Sequence, residues 1–434
     1  MEVTLAYGKT GLSVTLPDRH VTVVEPQYVP GLPDEAGAIR RALREPAGCP
    51  PLLDLLRPDD TVAVVFCDIT RPMPNDRVLP VLLEEVERVV PRSRMVLING
   101  TGTHRANTEA ELRGMLGDGI VDRYRILTHD ARDPHALVKV GTTRFGNDVW
   151  LNRAYVQASA RLVTGFIEPH FFAGFSGGPK MVMPAVAGLQ TVLRNHGAAM
   201  IGHPNATWGV TEGNPIWEEM REAALMARPC FSLHVTLNKR HEITGVFAGD
   251  FLASHDLGCA WVRQTAMRAV PAPFDVVLTT NSGYPLDLNV YQTIKGISAA
   301  ARIVKDGGAI VAAAECWDGI PDHGDYQDLL CSARSPDELL ERINAPRFQR
   351  PDQWQAQIQA MIQRRCRVYL HSSLPDDLVR RTMLLPCGDI EARIAALLRE
   401  YGPEATLCVL PQGPQTIPYV QPEPASAPAG PGGR

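Results

Sequence analysis

The sequence predicts an α/β protein made of two α/β domains with mostly parallel sheets and an active-site cleft between them. Three observations predict it. Short apolar runs, suited to parallel strands buried on both faces, alternate with segments of helical period along most of the chain. Pro271 and Pro273 interrupt that alternation and mark a domain boundary. Finally, 434 residues, 45% of them hydrophobic and 21% charged, exceed one ordinary core and suffice for two, at roughly 150 residues per domain. Residues 1–270 therefore read as an N-terminal domain and 271–416 as a smaller C-terminal one.

The first sixty residues read as short strands and one helix, in GAIRRALREP. TVAVVFCD is then a buried-strand run, NDRVLPVLLEEVERVV is helical in period and RMVLING is a second strand, which makes a βαβ unit. The helix NTEAELRGML follows, with short strands around YRILTHD and ALVKVGTT, and then the strand ARLVTGFIEP. A helix is expected over 185–196. HVTLNK and ITGVFAG read as strands, and 251–270 as one long helix. Beyond the prolines come strand DVVLTTNSG, helix NVYQTIKGISAAARIV and strand GAIVAAAEC. In SPDELLERI, Ser335 is the expected N-cap, Pro336 the first helical residue and Glu338 the partner completing a capping box. DQWQAQIQAMIQRRC is helical, RVYLHSSL a strand, DIEARIAALLREYG a helix and TLCVLPQG the last strand. Residues 417–434, rich in Pro, Ala and Gly, read as a flexible tail with nothing to bury.

Composition narrows the function. A net charge of −5 without a basic stripe argues against nucleic acid as partner and for a small molecule. No apolar stretch approaches the ~18 residues that span a bilayer, and MEVTLAYGKT lacks a signal-peptide plan, so no membrane and a cytoplasmic location are expected. Nine cysteines without a CxxC pair fit reduced thiols, with Cys67 and Cys316 as buried small residues.

Four polar clusters fall at the carboxyl ends of expected strands, where open α/β sheets place ligands. Asp68, Ile69, Thr70 and Arg71 close the first strand. Their carboxylate, hydroxyl and guanidinium suit a ribose, a phosphate or an oxyanion, or merely a surface turn. NGTGTHR follows the second strand; Arg105 stands where a dinucleotide fingerprint needs its third glycine, leaving a tight turn that presents His104. The third cluster, within 165–188, gathers His170, Ser176, Gly177, Gly178 and Lys180, with His196 one helix later. Successive amides in a glycine turn can cradle an anion, a lysine can anchor a cofactor and a histidine can move protons or bind a metal. GFSGG also fits a nucleophile elbow at Ser176, so a serine hydrolase stays open. In the fourth cluster, Gln292 and Lys295 lie three apart on one helical face beside Tyr291, suited to a carboxylate or to an ordinary amphipathic helix. Trp354 walls a cleft or packs in a core.

At these residues the chain resembles the nickel-dependent lactate racemase family. DITR, GTHR, PHFFAGFSGG followed by Lys180, the Asn195-His196 pair and YQTIK carry the likeness, over nearly all the folded chain. The resemblance implies a racemase or epimerase of a 2-hydroxy acid that uses nickel in a pincer-type pyridinium mononucleotide, built by dedicated host enzymes. It implies Lys180 as the covalent tether, His196 as nickel ligand, and His104 and His170 as the acid/base pair on opposite faces of the substrate. Asp68, Ile69, Thr70 and Arg71, with Ser176, Gly177 and Gly178, would hold the cofactor. Arg71, Tyr291, Gln292, Lys295 and Trp354 would meet the substrate. Hydride leaves C2 and returns to the opposite face of a bound 2-keto acid, because the C2 hydrogen beside an ionised carboxylate is too weak an acid for simple removal. Lactate is the namesake substrate; malate, an aromatic hydroxy acid or a sugar acid would use the same core. Pro179 before the tether departs from the expected pattern and favours extended backbone at Gly178. A protein that binds cofactor or hydroxy acid without turnover is the remaining alternative.

Overall fold

A computed structural model of the chain describes residues 1–321 and 324–421. Its two six-stranded sheets are mostly parallel, as the alternation of apolar strands and helices predicts. Each belongs to one of two units. The first unit collects Met1–Glu25, Met267–Ile320 and the chain from Ile362; the second collects Pro26–Ala266 and Pro321–Met361.

Across the second unit's sheet the strands run Ile243–Gly249, Phe231–Leu237, Ala160–Phe166, Val62–Cys67, Met95–Gly100 and Arg125–Thr128. All neighbours are parallel except the edge strand Ile243–Gly249. Val62–Cys67 is buried at every position, as a strand covered on both faces must be. From it the chain moves outward to Met95–Gly100 and Arg125–Thr128, then returns to its other side as Ala160–Phe166. That reversal puts a topological switch point between Val62–Cys67 and Ala160–Phe166, where the carboxyl-end loops part and ligands bind in such sheets. Asp68 follows one of these strands and the 165–180 segment leaves the other.

The first unit's sheet runs Leu385–Pro386, Arg367–His371, Val304–Ala313, Phe274–Thr280, Leu407–Leu410 and Val21–Val23, parallel throughout. The amino-terminal strand Val21–Val23 therefore belongs with the carboxyl-terminal sheet. An antiparallel pair, Glu2–Leu5 with Leu12–Thr15, buries Leu5 and Val14 in the same core as Val276, Val311 and Ile394.

Four local expectations change. The helix of 251–270 stops at Ala266, and Met267–Val270 pairs as a parallel strand with Ile417–Val420. Val270 and Ile417 are buried there, so the residues expected to open a flexible tail are ordered by a partner about 150 residues away; 422–434 lie outside the described residues. The helix of 185–196 shortens to Leu189–Asn195, because the residues before it run through a turn and Ala187 bridges Leu151, with the Gly188 amide donating to Trp150 O at 2.8 Å. Ser335 Oγ accepts from the Glu338 amide, but the Glu338 carboxylate takes the Arg334 amide, one residue before the cap; the reciprocal capping box is made by Thr108 and Glu111. Cys67 and Cys316 are buried, with burial pushing both thiols up to about 12. No helix among the described residues is long and apolar enough to cross a membrane.

His129, His234 and His255 sit in the second unit's core, and burial holds each imidazole below its usual pKa. Each binds a proton more readily unfolded than folded. Its contribution to stability is whole above about pH 6.5 and is withdrawn as pH falls towards the folded-state value. Lowering the pH from 7 to 5 is expected to destabilise the fold, read as a falling urea midpoint. A midpoint that stays level over that range would contradict neutral burial.

Candidate active site

Asp68 is buried at the carboxyl end of Val62–Cys67, with 3% of its surface exposed. One carboxylate oxygen accepts from Thr70 Oγ at 2.8 Å and the other from His104 Nδ1 at 2.7 Å. Burial alone would raise this carboxyl, but the His104 bond and charge, with Arg71 and Thr70, outweigh burial and hold it below the usual value. An ionised carboxylate is met only by a donor, so the neutral His104 ring carries its hydrogen on Nδ1 and a lone pair on Nε2. Backbone bonds hold the loops in register: Gly102 N donates to Ala185 O at 2.9 Å and Arg71 N to Asp68 O at 3.2 Å. Arg105 turns away to make a two-pronged pair with Glu111, at 2.6 and 2.8 Å.

On the far side of the switch point, Pro169–His170 pairs with Gly174–Phe175 in a short antiparallel turn. His170 Nδ1 accepts from the Ala173 amide at 3.2 Å. The neutral His170 ring therefore carries its hydrogen on Nε2, the tautomer opposite to that of His104. Phe172 is the hub around which the other side chains gather: its ring centre lies 4.5 Å from that of His170 and 5.0 Å from that of His196, with Lys180 Nζ 5.5 Å away. Trp354 stands edge-on to His196 at 5.1 Å. His170, Lys180, His196 and Trp354 are thus one cluster, and the phenylalanine joining them is legible only as an aromatic pair inside PHFFAGF.

His196 caps the Leu189–Asn195 helix and is 5% exposed. Burial first, and the Lys180 charge second, push its pKa down to about 3, so it is neutral at pH 7. Its Nδ1 has no hydrogen-bond partner, nor has the buried Oε1 of Gln357, whose amide nitrogen holds Ala198 O at 2.8 Å. Leaving such atoms unmet costs about 1–3 kcal/mol each, which is explained when a group from outside the chain meets them. A neutral, buried imidazole with an unmet nitrogen suits a nickel ligand. Among the described residues no three His, Cys, Asp or Glu side chains gather as a metal site. The adjacent Asn195 donates to the buried Glu219 carboxylate at 2.8 Å, which Thr143 and Asn147 also meet, and this fixes the helix end that carries His196.

The glycine turn differs from the anion cradle expected of Ser176, Gly177 and Gly178. The Ser176 amide donates to Glu168 O at 2.9 Å, and the Gly178 amide to His234 Nε2 at 2.8 Å. Gly177 and Gly178 have φ of +74° and +48°, and a Cβ on Gly178 would lie 2.6 Å from the His255 ring. Glycine is needed here so that buried histidines can come close. Pro179 fits the first turn of Gly178–Met181, and Gly178 is left-handed rather than extended because it has no Cβ to clash. Ser176 Oγ donates to Phe166 O and accepts from the Glu168 amide, both at 2.9 Å. The nearby His255 meets the Ser176 carbonyl and not its hydroxyl. A hydroxyl bound on both sides inside its own turn is no poised nucleophile, and the serine hydrolase reading loses its centre.

Tyr291, Gln292 and Lys295 belong to the first unit, half-buried on the Val290–Ala300 helix. Asn289 caps that helix by accepting the Gln292 amide at 3.0 Å. Gln292 and Lys295 lie within one turn of each other, as read from the sequence.

The chain is similar to known proteins over almost all its length. Residues 7–209 match the family described as Lactate racemase N-terminal domain, and 269–417 match Lactate racemase C-terminal domain. The chain is 33% identical to a lactate racemase of Thermoanaerobacterium thermosaccharolyticum, over 96% of this chain and 98% of that one. It is 37% identical to a lactate racemase of Lactiplantibacillus plantarum, over 87% and 90%. The solved lactate racemase apoprotein of T. thermosaccharolyticum superposes with a TM-score of 0.90, covering 96% of this chain and all of that one at 33% identity. A Thermotoga maritima protein of known structure shares the fold, with a TM-score of 0.66 at 20% identity.

Proposed function

The chain belongs to the lactate racemase family and is an isomerase, and from that premise we propose that it interconverts the enantiomers of a 2-hydroxy acid, lactate foremost. The observation that carries this reading is the His104 ring, whose Nδ1–H is held by the buried Asp68 carboxylate so that Nε2 keeps a lone pair for a hydroxyl proton. Racemisation needs a base for the hydroxyl proton of one enantiomer and an acid to return it to the other.

We assign to this chain a nickel-pincer pyridinium mononucleotide, held covalently through Lys180 and with His196 as protein ligand to nickel. When bound, that group would supply an electrophilic ring carbon able to accept hydride from C2 of the substrate and return it. Phe172 and Trp354 exclude water beside it and keep His196 neutral. Asp68 and Thr70 act through His104, fixing its tautomer, while Ile69 and Arg71 remain for cofactor and substrate oxygen. Ser176, Gly177 and Gly178 shape the turn that carries the tether. In this reading Tyr291, Gln292 and Lys295 hold the substrate carboxylate, and the host's cofactor-building enzymes are the protein partners. A chain that merely stores cofactor or hydroxy acid would have no use for an imidazole held as a base by a buried carboxylate, which favours turnover.

Protein made together with those enzymes, incubated with enantiopure lactate, malate, phenyllactate and gluconate and read by chiral chromatography, is expected to racemise lactate in proportion to bound nickel. Equal optical purity before and after, with nickel bound, would overturn the reading.

A further inference from the structure

We propose that His234 and His255, two fully buried histidines outside the reacting groups, are positioning residues that aim Lys180 for covalent attachment. His234 lies in the Phe231–Leu237 strand and His255 in the Ala253–Ala266 helix, their ring centres 5.6 Å apart and their planes inclined at 63°. They grip the glycine turn from both flanks. His234 Nε2 accepts the Gly178 amide at 2.8 Å, and His255 donates Nε2–H to the Ser176 carbonyl at 2.9 Å. The Gly177 carbonyl between them accepts the Lys180 amide at 3.0 Å. A Cβ on Gly177 would stand 3.0 Å from the His234 ring, and one on Gly178 would stand 2.6 Å from that of His255. The left-handed turn is therefore moulded on two imidazoles, and it sets where the next side chain but one departs.

Burial of two imidazoles is a poor way to fill a core. His234 Nδ1 has no partner, and a buried unmet polar atom costs more than an apolar side chain in the same place. What the two rings supply that an apolar pair could not is one acceptor and one donor, each matched to the turn before Lys180. A lysine whose attachment must form in one geometry needs that support, since loosening a site by about 1 Å is enough to lose function.

This inference rests on the tether reading, and the test separates them. Full-length parent, His234→Leu, His255→Leu, His234→Gln and His255→Gln are made together with the cofactor-building enzymes. The fraction of chains with a Lys180 adduct is read by intact and peptide mass, and folding by circular dichroism and urea midpoint. A glutamine amide reaches the position of Nε2 and can accept or donate there. The leucine variants are expected to fall about tenfold or more in adduct, with the glutamine variants within about twofold of the parent. Amide exchange of the peptide containing Gly178 and Lys180, measured on the same chains without cofactor, is expected to quicken about tenfold in the leucine variants alone. His234→Asn, polar but too short to reach the Gly178 amide, is expected to behave like leucine and serves if His234→Leu does not fold. Folded leucine or asparagine variants that carry adduct like the parent overturn the inference while leaving the tether intact. An unmodified Lys180 in the active parent overturns the tether reading itself, and this inference with it.

Discussion

Lys180→Ala is expected to remove nickel-dependent racemisation down to the background of the assay, a fall of about 10²–10⁴-fold or more. Attachment turns cofactor binding into an event within one molecule, and its loss leaves the site to whatever free cofactor the solution offers. Before attachment Lys180 also places an ammonium near Phe172 and a charge that helps keep His196 neutral, and alanine removes both, so it confounds tether with charge. Lys180→Arg separates the two. Arginine keeps the cation over the aromatic ring but cannot make the same bond, and it is expected to be as inactive as alanine. Intact mass checks both: neither variant carries an adduct, and the parent does. An arginine variant that racemises at the parent rate would show that charge was all that mattered at this position, and the covalent assignment would fail.

What the sequence reveals and what it hides divide along the range of the forces. Val62–Cys67 and Met95–Gly100 are legible because strands buried on both faces must be apolar throughout, and a local run shows that directly. Ile417–Val420 is not, because its order comes from Met267–Val270, and no window of sequence spans that distance. The same limit applies inside the site. His104, His170, Lys180 and His196 are each conspicuous by residue type beside glycine turns and strand ends. Their roles depend on partners brought from elsewhere: Asp68 fixes the tautomer of His104 from 36 residues away, and Phe172 joins three of the four. The glycines mislead most. A turn rich in glycine reads as space for a ligand, yet at Gly178 the space is taken by His255, whose position on a helix more than seventy residues later no local pattern announces.

His104→Gln and His170→Gln are each expected to lower kcat/KM by about 10²–10⁴-fold, the usual worth of one general acid or base. The two enantiomers have equal free energy in an achiral solvent, so kcat/KM for both must fall by the same factor in either variant. Steady-state rates therefore cannot tell which histidine serves which enantiomer. A single turnover can. Oxidation of one enantiomer needs a base only on the face where its hydroxyl points, so the His104 variant should still form 2-keto acid from one enantiomer and the His170 variant from the other. Asp68→Ala acts through His104 alone, since its carboxylate meets that ring and not His170. It should cost less, roughly 10–100-fold as for other carboxylates that orient a working imidazole, and only in the half-reaction that His104 serves. Added to His104→Gln, the same change should cost almost nothing further, because its route of action is already gone. Keto acid formed from both enantiomers by both histidine variants would remove the two from the proton path. An Asp68 effect that persists in full without His104 would place that carboxylate on the cofactor instead, the role that the family resemblance of DITR implies.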